Sequence, residues 1–258
     1  MDSPLTPDRE SSPACLAQIT TIWTNILRAR GGPEQADAEE LARFFDRYQR
    51  PILHYLQRCV GDDNSAADLF QEFALRFVRG DFAGSRPRSG SFRQYLKTAL
   101  VNLVRDHQSR NAKAPRPWST REPQVPDEKQ QAELIDHALR DELLGRAWEM
   151  LQQLEASGES PDYSILRERV THPDLSAAEL GARLTGLGIR QEVPDEALTR
   201  KLVQRAREEF AEQLLQATQR MLGVSAWEPV AEELAQLGLL QYCERALKSR
   251  KAPLSSDS

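Results

Sequence analysis

Apolar residues recur every three or four positions along most of this chain, the spacing that places them on one face of an α-helix. The pattern is clearest in three stretches of the first half, 41–56, 69–77 and 92–104. Leu, Ala, Glu, Gln and Arg, which favour helices, dominate the composition, and runs of β-branched residues are scarce. The chain is therefore predicted to be all-α.

Breaks in this pattern divide the chain into two predicted helical domains. Four prolines lie within 113–129, and such a segment cannot form one regular element, so we interpret it as an interdomain linker. The other predicted segments are a disordered N-terminus, a first domain, a second domain and a C-terminal segment, at 1–16, 17–112, 130–222 and 223–258. The C-terminal segment is predicted to hold one amphipathic helix, 227–247, before a polar tail. Within the first domain, Pro51 predicts a kink or a break.

Composition narrows the class of protein. The chain has 258 residues, 40% of them hydrophobic and 28% charged, which indicates roughly two domains with real hydrophobic cores. Its three cysteines, Cys15, Cys59 and Cys243, lie far apart and form no CxxC pair, which favours a reducing cytoplasm over a disulfide scaffold or a zinc site. We find no signal peptide and no apolar run long enough to span a membrane, so we expect a cytoplasmic protein.

The charge of the chain changes sign abruptly after an acidic stretch. Asp68, Gln71 and Glu72 are spaced to share one helix face. After them, ten basic residues are accompanied only by Asp81 and Asp106, an excess of about eight positive charges in a chain whose net charge is −5. The ten are Arg76, Arg79, Arg86, Arg88, Arg93, Lys97, Arg105, Arg110, Lys113 and Arg116. A concentrated basic region is typical of nucleic-acid binding, and the acidic face indicates a basic protein partner. For the acidic face the simpler alternative is a solvent-exposed charged stripe that binds no partner.

The predicted helix that begins at Phe92 carries the candidate nucleic-acid residues. An aromatic ring among cations suits single-stranded DNA, because bases stack on rings and cations neutralise phosphates. These candidates are Arg93, Tyr95, Lys97, Asn102, Arg105 and Arg110. Taken singly, Tyr95 could equally belong to the core, and Asn102 could read a base edge or cap a turn.

The second half holds a possible helix-turn-helix. Its first helix is predicted over 176–184, and its second helix contains residues 198–210. In such motifs the second helix enters the major groove, where Arg, Lys and Gln reach base edges. The residues in that position are Arg200, Lys201, Gln204, Arg205 and Arg207. Acidic residues along the same helix, among them Glu196 and Glu208, cancel this charge, so a purely structural hairpin is an equal alternative.

Signals for enzymatic chemistry are weak. The four histidines are scattered, and no HExxH, Walker A or nucleophile-elbow motif occurs. Asp106 and His107 are adjacent in sequence, which directs their side chains apart on a helix, so we interpret them as surface residues. We therefore predict no catalytic residues, no metal and no cofactor.

The segment from Leu41 to Arg110 resembles region 2 of the extracytoplasmic-function sigma factors of bacterial RNA polymerase. Three motifs carry the resemblance, in the order of that family: FFDRYQRPILHYL, then AADLFQEFA from Ala66, then FRQYL from Phe92 followed by Asn102, Asp106 and Arg110. The opening TIWTNILRAR and the GSFRQYL form are most similar to one subgroup of that family. In the second motif the phenylalanine stands one place earlier than in the family pattern.

This resemblance implies a role for each candidate set. Asp68, Gln71 and Glu72 would bind the basic coiled coil of the largest subunit of the polymerase core. The candidates from Arg93 to Arg110 would bind and melt the −10 element of promoter DNA. The protein would be a sigma factor rather than an enzyme, and an anti-sigma or other regulatory protein is a possible partner.

The second half resembles region 4, which reads the −35 element, more distantly. The family pattern survives as Ala177-Ala-Glu-Leu-Gly-Ala-Arg-Leu and as Thr199-Arg-Lys-Leu-Val-Gln-Arg-Ala-Arg. The turn between the two helices, TGLGIRQEVPDEA, is much longer than in the motif, and the polar Thr199 stands where an apolar residue is usual. Two alternatives stay open: a degenerate sigma-like protein that recognises no promoter, and an all-α interaction scaffold.

Overall fold

The computed structural model of the protein describes residues 35–79, 92–112 and 127–251. Within these ranges every regular element is an α-helix, which confirms the all-α fold class. The helices are α1 (Gln35–Val60), α2 (Asp63–Arg79), α3 (Phe92–Ala112), α4 (Glu128–Ala156), α5 (Asp162–Thr171), α6 (Ala177–Gly186), α7 (Glu196–Leu222), α8 (Trp227–Gln236) and α9 (Leu240–Lys251). The chain divides into two compact units, Met1–Gln124 and Val125–Ser258.

The domain limits drawn from the sequence stay a prediction. The segment 1–16 and most of the linker 113–129 lie outside the described residues. Helix α4 begins at Glu128, slightly before the predicted start of the second domain at 130, because Asp127 and Gln130 form a capping box there. The Asp127 carboxylate accepts from the Gln130 N–H at 2.8 Å, and the Gln130 side chain accepts from the Asp127 N–H at 3.0 Å.

In the first unit, α2 packs against both α1 and α3. The apolar spacing seen in the sequence forms the core, in which Tyr55, Phe70, Phe73 and Leu100 are fully buried. Burial of each such side chain contributes about 1.5–3 kcal/mol relative to exposure, which is why three helices suffice for a core here. Phe44 of α1 stacks on Phe77 of α2 with ring centroids 4.7 Å apart and nearly parallel planes.

Pro51 does not break the first helix. Helix α1 runs from Gln35 to Val60 with Pro51 inside it, so of the two outcomes predicted at this position the break is wrong. A proline costs about 3 kcal/mol in a helix interior, because it removes a hydrogen bond and crowds the preceding turn. The residues on either side of it, among them Tyr48, Ile52 and Tyr55, are buried, and this packing offsets the cost.

The second unit is built on two long helices, α4 and α7, which pack against each other. The first half of α7 packs with α5 and α6 around a core that contains Leu151, Ile165, Leu180, Leu202 and Ala206. Trp148 of α4 closes this core against Phe210 of α7, with ring centroids 4.9 Å apart.

The second half of α7 packs with α8 and α9. The Cys243 thiol of α9 contacts the Ala211 carbonyl oxygen at 3.7 Å, and both residues are buried. Arg140 of α4 donates to the Leu237 carbonyl oxygen at 2.8 Å and so fixes the end of α8 to α4. The C-terminal segment is therefore part of the second unit's core.

The single helix predicted over 227–247 is wrong, because two helices, α8 and α9, occupy this segment. The chain reverses at Gly238, whose φ of +71° lies in the left-handed region that side chains rarely adopt. The Leu239 N–H then bonds to the Leu234 carbonyl at 2.7 Å, which satisfies an orphan carbonyl at the end of α8. Leu237 and Leu239 are both buried beside the turn, so their apolar spacing continues through it and masks the break.

Helices α6 and α7 cross at a glycine. Gly181 of α6 is buried, and a Cβ atom at this position would lie 2.8 Å from the Thr199 hydroxyl oxygen and 3.0 Å from the Pro194 carbonyl oxygen. Thr199 is buried here because its hydroxyl donates to the Asp195 carbonyl at 2.9 Å, so the polar residue is satisfied within α7. The close approach of α6 to α7 thus requires glycine at 181.

Gly181→Ala is expected to lower the free energy of unfolding of the second unit by about 1–3 kcal/mol, because the methyl group would crowd the buried Thr199 hydroxyl and the Pro194 carbonyl oxygen. The matched control is Gly145→Ala in α4, where an added Cβ meets nothing within 4 Å. The control should raise stability by roughly 0.5–1 kcal/mol, the helix preference of Ala over Gly. Calorimetry of both full-length variants measures the two effects, and a Gly181→Ala protein as stable as the parent would contradict the close crossing.

Candidate protein- and nucleic-acid-binding site

The candidate site of the first unit lies on α2 and α3. Helix α2 buries Leu69, Phe70 and Phe73, and this leaves the predicted acidic set on its other side. Asp68 is exposed, whereas Gln71 and Glu72 are half-buried. The sequence spacing therefore places Asp68 where a partner can reach it and sets Glu72 closer to α3.

Four charged side chains of α2 and α3 form one network. Glu72 contacts Arg76 on its own helix at 2.6 Å through one carboxylate oxygen, and Arg110 of α3 at 2.7 Å through the other. Arg76 also binds Asp106 of α3 at 2.9 Å. Arg110 additionally donates to the Asp106 carbonyl oxygen at 3.3 Å. We call these four residues the α2–α3 ion-pair network.

This network joins the two helices and is electrically neutral, since it holds two carboxylates and two guanidinium groups. The hydrogen bond from Arg76 to Asp106 is the main cause that raises the pKa of Arg76 above its ordinary value. Single exposed pairs contribute only about 0–1 kcal/mol, so the network orients side chains more than it stabilises the unit. The acidic and basic sets, expected on separate surfaces, therefore meet at Glu72 and Arg110.

The other candidates on α3 do not all point the same way. Arg105 is exposed and donates to the Asn102 side-chain oxygen at 3.0 Å. Arg93 and Lys97 are half-buried, one helical turn apart near the start of α3. The side chain of Tyr95 lies outside the described residues. The structure thus brings Asn102 and Arg105 together, whereas Arg110 is held by α2.

Two residues of this site were missed from the sequence. Arg76 stands four residues after Glu72, the spacing of a helical ion pair, and this signal was available. His107 was interpreted as a surface residue, but it is half-buried, and it follows the buried Leu103 by four residues. Burial lowers the pKa of His107, as does the nearby Arg110, and the carboxylates of Glu72 and Asp68 oppose this shift only in part.

In the second unit, the predicted base-reading residues all lie exposed on the first half of α7. Three of them, Arg200, Gln204 and Arg205, bind partners within the unit. Arg200 pairs with Glu196, and Gln204 donates to Glu208 at 2.9 Å. Glu208 also binds Arg245 of α9 at 2.7 Å.

Arg205 is the most firmly held of these residues. Two of its guanidinium nitrogens bind one Asp162 carboxylate oxygen, at 2.9 and 3.1 Å, and one of them also contacts the Ser160 hydroxyl at 2.8 Å. Asp162 is buried at the start of α5, so loss of Arg205 would strip a buried carboxylate of its cation. This contact ties α7 to α5, and it competes with the base contact predicted for Arg205.

An open groove of roughly 550 Å³ runs along this half of α7 between α5 and α6. Its wall is apolar at Leu166, Val170 and Val203, and its rim carries Arg169, Arg200 and Arg207. Arg169 is itself held by carbonyl oxygens, those of Pro173 and Leu175, both at 2.9 Å.

Within the described ranges, no group of three or more His, Cys, Asp or Glu side chains is arranged to hold a metal ion. None of the helices there is both long and apolar enough to cross a membrane.

The model of the family sigma-70 region 2 matches residues 44–114 of this chain. The matched span contains most of α1 and the whole of α2 and α3, and therefore both candidate sets of the first unit. No curated protein matches the chain, and no solved structure matches it.

His107 should give the first unit a measurable dependence on pH. Because its pKa in the folded protein lies below the ordinary 6.5, the unfolded chain binds a proton more readily. The neutral His107 ring therefore makes its full contribution to the free energy of unfolding above pH 6.5. This contribution declines as the pH falls from 6.5 through the lowered pKa of the folded protein. His107→Gln should flatten the fall in melting temperature over this range, followed by circular dichroism. Equal slopes for parent and variant would show that the ring does not contribute.

Proposed function

We propose, from the premise that residues 44–114 belong to the sigma-70 region 2 family, that this protein is a sigma factor of the extracytoplasmic-function type. It directs RNA polymerase to specific promoters from the cytoplasm and opens the −10 element there, without being an enzyme itself. The family match is the observation that carries this proposal. The arrangement of α2 and α3 supports it, since an acidic helix face adjoins a helix that bears cations.

The proposed surface for core polymerase is the exposed side of α2. Asp68 is open to solvent, and Gln71 and Glu72 stand one turn further along the same side. A basic coiled coil of the largest subunit suits this face, because complementary charge speeds encounter and fixes register. The opposite side of α2 is buried against α1 and α3, so the presented face cannot rotate away.

The proposed surface for the −10 element is α3 with the segment before it. Arg93, Lys97, Asn102 and Arg105 supply hydrogen-bond donors for phosphates and base edges, and Arg110 joins them at the far end. Opening of the duplex must be offset by contacts to the released bases, for which Tyr95 is the proposed stacking residue.

Replacing the two carboxylates of the docking face, the exposed Asp68 and the half-buried Glu72, tests the polymerase contact. Asp68→Ala with Glu72→Ala should weaken binding of the full chain to purified core polymerase by at least about tenfold, which corresponds to about 1.4 kcal/mol. The matched control is Glu228→Ala with Glu232→Ala, which removes two exposed charges from α8. Fluorescence titration gives both affinities, and equal affinities for the two double variants would refute the docking assignment.

A second substitution separates strand opening from duplex binding. Tyr95→Ala should reduce permanganate reactivity of promoter thymines strongly while duplex affinity changes little, because a stacked base contributes about 1–3 kcal/mol only after it is released. Tyr95→Phe retains the ring and should behave as the parent does. Footprints of equal intensity for Tyr95→Ala and the parent would argue against stacking by this residue.

The second unit is proposed to read the −35 element through α7, on which Lys201 and Arg207 are exposed cations. A second candidate function is polymerase binding without promoter recognition. The internal contacts of Arg200, Gln204 and Arg205 favour it, since each removes a donor from the predicted reading surface. Run-off transcription from the region upstream of its own gene, by core polymerase with and without the chain, decides between the two candidates. A product that depends on the chain supports the sigma factor, and its absence supports the second candidate.

A further inference from the structure

Glu72 and Arg110 belong to different proposed surfaces, yet they bind each other. We propose that this ion pair is a latch that couples the two surfaces: a basic partner that takes Glu72 releases Arg110 to bind a nucleic-acid phosphate. The inference deepens the proposed function and rests on it in one respect, that the partner of the α2 face is cationic. The part of the proposal that concerns DNA binding can be tested without that partner.

The geometry shows which cation would leave Glu72. Arg76 has a side chain 30% exposed, stands on the same helix as Glu72, and holds Asp106 at the same time. The Arg110 side chain is 55% exposed, and its remaining contact in the network is the longer one, 3.3 Å, to the Asp106 carbonyl. Arg110 is therefore the member that can exchange while Arg76 keeps α2 and α3 together.

Exchange at this position costs little. The Glu72–Arg110 pair lies at the surface, where water and salt screen the charges and a new partner replaces the old one at similar energy. A guanidinium group binds phosphate oxygens as well as carboxylate oxygens, because its N–H donors match both geometries. The same side chain can thus serve as an internal tie and as a phosphate ligand, although not at the same time.

The latch has a reciprocal consequence. If a basic partner on Glu72 makes Arg110 available for DNA, then DNA bound by Arg110 makes Glu72 available for the partner, by the same factor. The free protein would bind both weakly, and the assembled complex would hold both more tightly. No large movement is required, since one exposed side chain changes its partner.

The first experiment uses the full chain and a single-stranded DNA oligonucleotide of mixed sequence. Glu72→Gln should bind this probe more tightly than the parent, by roughly three- to tenfold near 0.1 M salt, and its salt slope should steepen by about 0.7, the value of one further phosphate contact on a single strand. Fluorescence anisotropy at several salt concentrations measures both quantities.

Asp68→Asn is the matched control, because it removes one carboxylate from the same face but does not touch Arg110. Its salt slope should equal that of the parent. Glu72→Asp is a second test that keeps the charge: the shorter side chain stays beside Arg76 and loses Arg110, so the salt slope should again steepen. If Glu72→Gln and Asp68→Asn gave the same slope, the latch would be overturned.

Arg110 itself gives an independent test that leaves Glu72 intact. Arg110→Gln should change oligonucleotide binding little in the parent, where Glu72 already occupies the guanidinium, but should abolish the gain in the Glu72→Gln background. The same substitution should raise affinity for core polymerase, since it frees Glu72. If Arg110→Gln lowered DNA affinity equally in the parent and in the Glu72→Gln variant, Glu72 would not keep Arg110 from binding DNA, and the latch would be wrong.

These outcomes separate the latch from the proposed function. A chain that fails to bind core polymerase but shows the Glu72→Gln gain has the ion-pair exchange without the sigma role. A chain that binds polymerase and supports transcription, yet shows no difference between Glu72→Gln and Asp68→Asn, is a sigma factor without the latch.

Discussion

The burial of one face of α2 is the constraint on which the rest of the first unit depends. Leu69, Phe70 and Phe73 are held by α1 on one side and α3 on the other, so the charged face of α2 can point only outward and toward α3. Glu72 consequently reaches both Arg76 and Arg110, and the ion-pair network is a result of this packing rather than its cause. Apolar burial fixes the helices, and the charged residues, each of small energetic weight, then set which partners the surface accepts.

The second unit uses one helix for two purposes. The first half of α7 forms, with α5 and α6, the crossed arrangement centred on Gly181 and Thr199, and exposes its polar residues. The second half is buried by α8 and α9, so residues such as Leu215 and Thr218 are inaccessible. Because α7 is continuous, the C-terminal helices anchor the exposed half through a rigid element, and the tail of the chain thereby acquires a structural role that its sequence did not suggest.

Helical periodicity predicted the fold class and most helices, because an apolar face must be buried whatever its partner is. It failed at Gly238, where buried leucines on both sides of the turn continue the spacing. At Pro51 the periodicity continued correctly, and the break expected from proline was wrong because tertiary packing outweighs that local preference. The candidate residues of α2 and α3 were found by type and spacing. Their mutual contacts were not, since the pairing of Glu72 with Arg110 joins residues 38 apart, and that of Arg205 with Asp162 joins residues 43 apart.

These contacts also change where nucleic acid is expected to lie. Two of the basic residues counted in the sequence, Arg76 and Arg110, are neutralised by Glu72 and Asp106. The end of α3 near the network therefore contributes little positive electrostatic potential. Among the described residues, Arg93, Lys97 and Arg105 are the cations of α3 outside the network, and they stand toward its start and middle. The cations of α3 that stand outside the network therefore lie at its start and middle, and the network frees Arg110 when a partner binds Glu72 or frees Glu72 when a phosphate binds Arg110.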